Sequence, residues 1–116
     1  MHELSIVTNV LDASVSEAKK RGALKLTAVN LKIGEYKQVE DEALMFSWEF
    51  LSNEDPFSEG AKLNVEYVSP ASICPECGHE FEHDMFHRKC PECGCEWTTL
   101  VKGSELEISS IEVEEP

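Results

Sequence analysis

Leu4, Val7, Leu11, Val15 and Ala18 recur at steps of three and four, the period of a helix that buries one face. Glu17 is followed by Lys19, Lys20 and Arg21, and a basic trio suits the negative end of a helix dipole. Gly22 then marks a stop. A stripe of this kind is core packing before it is anything else. From Val29 the period changes to two: Val29, Leu31 and Ile33 alternate with Asn30 and Lys32, which predicts a half-buried strand running up to Gly34. Leu24 and Leu26 lie in the opposite frame, so the strand either carries a bulge near Ala28 or begins later.

The acidic stretch from Gln38 to Glu42 offers Asp41 as the N-cap of a second helix. Leu44, Trp48 and Leu51 share one face of it, and Met45, Phe46 and Phe50 widen the apolar surface, so this helix is expected to pack deeply. Asn53 to Gly60 reads as a polar loop. Leu63, Val65 and Tyr67 alternate with Lys62, Asn64 and Glu66 in a second strand that ends at Pro70. After Gly103, the run Glu105 to Ile108 alternates again, and Ile111 and Val113 continue in a shifted frame. This third strand needs the sheet made by the first two. Glu112, Glu114, Glu115 and Pro116 read as a frayed acidic end.

Between the second and third strands the apolar periods vanish and cysteines take over. Cys-Pro-Glu-Cys-Gly occurs at Cys74–Gly78 and again at Cys90–Gly94. Two residues between paired thiolates let a tight loop turn around one ion, and two such loops supply the four sulfurs that a closed zinc site prefers. Cys74, Cys77, Cys90 and Cys93 are therefore the expected ligands of a structural zinc. The fold class that results is α+β: a small three-stranded sheet packed by two helices, with an inserted four-cysteine, zinc-ribbon-like module. The expected partition gives residues 1–70 plus 104–116 to the α+β domain and residues 71–103 to the zinc module.

At 116 residues the chain is of single-domain size, and its net charge of −13 argues against a duplex-binding surface, since phosphate contacts need lysine and arginine. Met1-His2-Glu3 opens no secretory signal, and no apolar run approaches a bilayer span. With thiols best explained as metal ligands, a cytoplasmic location is expected. Enzymatic signatures are missing: no phosphate-cradling loop, no nucleophile elbow, no His-Glu-x-x-His helix. A zinc held by four thiolates is saturated, whereas a catalytic zinc keeps a position open. The expectation is a protein that is not an enzyme, with no catalytic residues.

Several residues stay open between plain and sharper readings. Cys95 is a spare thiol or an exchange partner for Cys93. His79, His83 and His87 are solvated loop residues, or together a second metal contact or a pH-sensitive element. His2 is an incidental terminal histidine or a chelator. The Met1 amine, the His2 amide nitrogen and the imidazole can close consecutive chelate rings, and such in-plane nitrogen donors suit Ni(II) or Cu(II) better than zinc.

Met1-His2-Glu3-Leu4-Ser5-Ile6, the two Cys-x-x-Cys pairs and the closing Gly103 to Ile108 with Ile111-Glu112 together resemble the HypA/HybF family of nickel metallochaperones. Ile33-Gly34-Glu35 and Glu59-Gly60-Ala61 also match, so the resemblance covers essentially the whole chain. It implies a nickel site made by the Met1 amino terminus, His2 and Glu3, with Glu40 as a further oxygen donor and Asp41 beside it. It also implies structural zinc, Ni(II) as transient cargo, a HypB-type GTPase as partner and the [NiFe]-hydrogenase large-subunit precursor as recipient. No nucleic-acid partner is expected, and the chain is expected to be a monomer or weak dimer. The rivals are a zinc-ribbon adaptor for protein or nucleic acid, a rubredoxin-like electron carrier whose four thiolates would hold iron, and a nickel carrier serving urease instead.

Overall fold

A computed structural model describes residues 2–116 of the chain. Among these residues, two helices and six strands follow in the order α1 (Glu3–Lys20), β1 (Lys25–Gly34), a 3-10 turn (Glu35–Lys37), α2 (Asp41–Ser52), β2 (Lys62–Val68), β3 (Ala71–Ile73), β4 (Glu80–Glu82), β5 (Thr99–Lys102) and β6 (Leu106–Glu114). One sheet has the order β2-β1-β6, and a second has the order β4-β3-β5. The expected α+β architecture, with two helices, a three-stranded sheet and an inserted cysteine module, is the one observed.

Two compact units divide the chain. The first comprises Met1–Leu31, Val39–Glu66 and Glu107–Pro116. Here α1 packs against α2. The buried face of α1 is Ile6, Val7, Val10, Leu11, Ser14 and Ala18. It is rotated from the expected stripe: Leu4 in the first turn is 56% exposed and Val15 sits at the margin. Gly22 does end the helix, through bonds from Gly22 N–H to Lys19 O and from Ala23 N–H to Ala18 O, the paired closure of a Schellman motif.

β1 starts earlier than its clean alternation indicates. Leu26 and Ala28 are buried in one frame, Val29 and Leu31 in the next, so the change of frame falls between Ala28 and Val29. The last strand also differs from expectation. Glu112 and Glu114 belong to β6, and Leu24 N–H donates to Glu114 O at 2.8 Å, so these residues are paired strand and not a frayed end.

α2 requires two corrections. Its N-cap is Glu40, whose carboxylate accepts from Glu42 N–H at 3.3 Å and Ala43 N–H at 2.8 Å; Asp41 is already the first helical residue. Nor is the helix deeply packed. Only Leu44, Trp48 and Ser52 are buried, with the Trp48 indole N–H on Ala61 O at 2.8 Å. Phe46 and Phe50 are 73% and 60% exposed. At about 100° per residue, Phe46 points roughly 200° away from Leu44, so one narrow stripe cannot bury both.

The second unit comprises Lys32–Gln38 and Tyr67–Leu106. β3 is its central strand. It pairs antiparallel with β4 (Ser72 opposite Phe81) and with β5 (Ser72 opposite Leu100), with a register shift at Ala71/Ser72. Gly34 passes so close to another backbone that a Cβ there would lie 2.1 Å from both the carbonyl carbon and oxygen of Gly103. Flanking bonds hold this crossing, from Gly34 N–H to Glu105 O and from Tyr36 N–H to Gly103 O, each 2.8 Å. Because the neighbour is backbone and cannot swing aside, Gly34→Ala is expected to destabilise by about 3 kcal/mol in urea denaturation, at the upper end of overpacking costs. A change under about 1 kcal/mol would mean that the crossing yields.

Candidate metal centre

Both cysteine loops are built alike. Cys74 N–H donates to His79 O and Cys90 N–H to Cys95 O, each at 2.9 Å. Gly78 N–H and Gly94 N–H return to Cys74 O and Cys90 O at 2.8 and 2.9 Å. Both glycines have φ of +77°, a conformation in which an L side chain is strained. This is why glycine follows each Cys-Pro-Glu-Cys.

The loops bring four sulfurs together. All lie within 4.8 Å of one another, with Cys74 and Cys93 at 3.4 Å and Cys77 and Cys90 at 3.7 Å. A tetrahedron of sulfurs about 2.3 Å from zinc has edges of about 3.8 Å, so the cluster is of the right size for one ion. Cys74 and Cys90 are buried, Cys77 and Cys93 exposed. N–H groups aimed at the sulfurs favour thiolates: the Cys77 N–H leads in bringing the Cys74 thiol down to about 6. Cys93 accepts from the Cys95 N–H, yet the Cys74 sulfur beside it pushes it up to about 12. Sulfurs this close resist ionising together unless a cation shares their charge. A soft, tetrahedral thiolate set fits zinc.

Cys95 stands outside the quartet; its carbonyl and N–H brace the second loop, the place His79 holds in the first. The three histidines are not gathered around a point. His79 stacks on Phe81 with centroids 5.9 Å apart. His83 sits between Ser72 Oγ at 2.7 Å and Asp84 O at 2.5 Å; the carbonyl can only accept, so Nδ1 is the donor to it. His87 Nδ1 lies 2.7 Å from the Asp84 carboxylate. Among the described residues, the four cysteines are the only group of three or more histidine, cysteine or acidic side chains placed to hold a metal.

The Met1 amine, first of the expected nickel donors, lies outside the described residues. His2 is exposed and is the N-cap of α1, with extended backbone (φ −82°, ψ 102°) and its carbonyl on Ile6 N–H at 3.2 Å. The first four N–H groups of a helix have no intrahelical acceptor, so deprotonating the His2 amide would break no helical bond. Glu3 does meet Glu40: its Oε2 accepts from the Glu40 N–H at 2.8 Å. The starts of α1 and α2 are thus tied by one carboxylate, while the other caps α2. Sequence reasoning missed this link because serine, threonine, asparagine and aspartate are the favoured N-caps, which drew attention to Asp41.

That N–H, followed by Glu3's own, holds the Glu3 carboxyl below its ordinary value of 4.5. A lowered acid stabilises the fold above its unfolded value and ceases to as it protonates. The Glu3–Glu40 tie is therefore expected to be complete above about pH 4.5 and lost as pH falls through the lowered value. The Glu40 amide shift, followed by NMR, should titrate there in the native chain and be flat in Glu3→Gln.

Among the described residues, no helix is long and apolar enough to cross a membrane. The chain matches, over residues 1–113, the family described as hydrogenase/urease nickel incorporation, metallochaperone, hypA. It is 41% identical over 115 residues to the hydrogenase maturation factor HypA of Caldanaerobacter subterraneus, covering 98% of this chain and 100% of that one. Identity to the same factor from Chlorobium luteolum is 34%, over 99% and 97% of the two chains. The solution structure of the Ni metallochaperone HypA from Helicobacter pylori superposes with a TM-score of 0.71 at 24% identity over the whole of both chains, which shows the shared fold. This chain belongs to the HypA family, whose members are nickel metallochaperones and not enzymes.

Proposed function

We propose that the chain binds Ni(II) at its amino terminus and delivers it to the [NiFe]-hydrogenase large-subunit precursor, in cooperation with a HypB-type GTPase. The observation that carries this reading is the family match over residues 1–113, which includes Met1, His2 and Glu3. The relatives' names as hydrogenase maturation factors favour hydrogenase over urease as the recipient.

In this account residues 1–70 plus 104–116 present the cargo and residues 71–103 hold the fastening. Zinc, bound by Cys74, Cys77, Cys90 and Cys93, supplies a fixed fourfold crosslink. The cargo donors are the Met1 amine, the amide nitrogen and imidazole of His2, and Glu3, with Glu40 as a further oxygen donor. The Glu3–Glu40 contact supports this grouping, because it ties the Glu40 backbone, at the start of α2, to Glu3, at the start of the helix that His2 caps. Nitrogen donors that must lose protons bind less tightly as pH falls, so the cargo is releasable.

Nickel-loaded protein mixed with the apo large-subunit precursor should transfer its metal, faster with the GTPase and GTP. Transfer no faster than from a small nickel chelate of equal affinity would overturn the carrier role.

A further inference from the structure

β6 ends its sheet, so among the described residues one of its edges has no strand beside it. On the inner edge Glu114 O is taken by Leu24 N–H. Alternation along the strand then turns the N–H and C=O of Val113 and Ile111 to the outer edge. Such a row is a template for another extended segment. Beside it, within the same unit, runs a groove of about 490 Å³ between α1 and β6, lined by Ala13, Ser14, Ile108, Ile111 and Val113. Ser110 and the Glu17–Arg21 ion pair (2.9 Å) complete the lining, so the charge of Glu17 is already matched and the acidic character comes from β6 itself. The three apolar β6 side chains along it are only half-buried. Ser14 is 1% exposed, and its hydroxyl is the one buried side-chain polar atom among the described residues without a hydrogen-bond partner. An unpaired buried hydroxyl beside an open groove and an open edge points to something that docks there.

Charge narrows what that is. Glu107, Glu112 and Glu114 are exposed along β6, with Glu112 accepting from Asn30 Nδ2 at 3.2 Å, and the chain carries −13 overall. Pairing β6 with a second copy would set glutamates near glutamates, and like charges directly opposite destabilise a ladder. A segment alternating apolar with basic residues meets both faces: apolar side chains enter the groove beside Ile111 and Val113, and lysine or arginine lies beside the glutamates. We infer that the outer edge of β6 receives an extended, basic, apolar-alternating segment of a partner protein by strand addition. This surface is independent of the metal reading.

The test uses isotope-labelled full-length chain and an acetylated nine-residue peptide alternating valine and lysine, compared with its valine–glutamate counterpart. The lysine peptide should protect the Ile111 and Val113 amides from hydrogen exchange, shift Ser14, and bind at least tenfold more tightly than the glutamate peptide. Glu107→Lys with Glu114→Lys should reverse that preference. Equal affinity for both peptides, absence of binding, or shifts centred instead on Phe46 and Phe50 would overturn the inference. Protection of the same amides by self-association without peptide would assign the edge to a second copy and overturn it equally.

Discussion

Replacing Cys90 by serine is expected to release the metal of the cysteine cluster and unfold the second unit, while α1 and α2 keep their dispersed amide signals. The unit has little else to hold it. Its own strands β3, β4 and β5 are three or four residues long, and its buried side chains include two of the cysteines themselves, Cys74 and Cys90. So small a core falls short of the entropy cost of folding without a crosslink. Binding free energies of structural zinc sites run to about 10–16 kcal/mol and are folding free energies. A fourth ligand that is a neutral hydroxyl forfeits much of that. Cys95→Ser is the matched control: only its backbone braces the loop, so metal content and fold should be retained. Metal analysis with NMR of both variants makes the comparison. Metal lost equally from both would show that Cys95 is a ligand after all.

The second large effect concerns cargo. His2→Ala is expected to weaken nickel binding at least 100-fold, about 2.8 kcal/mol, by calorimetry. It removes the imidazole and leaves the fold alone, since His2 is exposed and caps α1 through its backbone, with no side-chain capping bond. Acetylating the amino terminus should do the same by taking away the amine donor. Zinc content should stay unchanged in both proteins. Nickel affinity within threefold of native in either would place the cargo site elsewhere.

Much of this was legible in the sequence because the physics involved is local. Four sulfurs at paired two-residue spacings, each pair closed by glycine, specify their own loops, and the structure brings Cys74, Cys77, Cys90 and Cys93 together as the spacing predicts. The period of α1 gave the helix but not its rotation, because the face that Ile6, Val10 and Ser14 bury is set by partners far along the chain. The exposure of Phe46 and Phe50 was illegible for the same reason: composition marks them apolar, while packing decides which stripe faces inward. β3, β4 and β5 are too short to show any period, and the Gly34–Gly103 crossing joins residues that no local rule connects. The Glu3–Glu40 tie likewise depends on how two helix starts meet.

The central claim is two metals on one chain, one kept and one carried. Protein with its native amino terminus, loaded with nickel and freed of excess by gel filtration, should contain one zinc and one nickel per chain. His2→Ala treated identically should contain the zinc alone. Zinc without nickel in the native protein, or nickel that appears only as zinc leaves the four cysteines, would contradict the account.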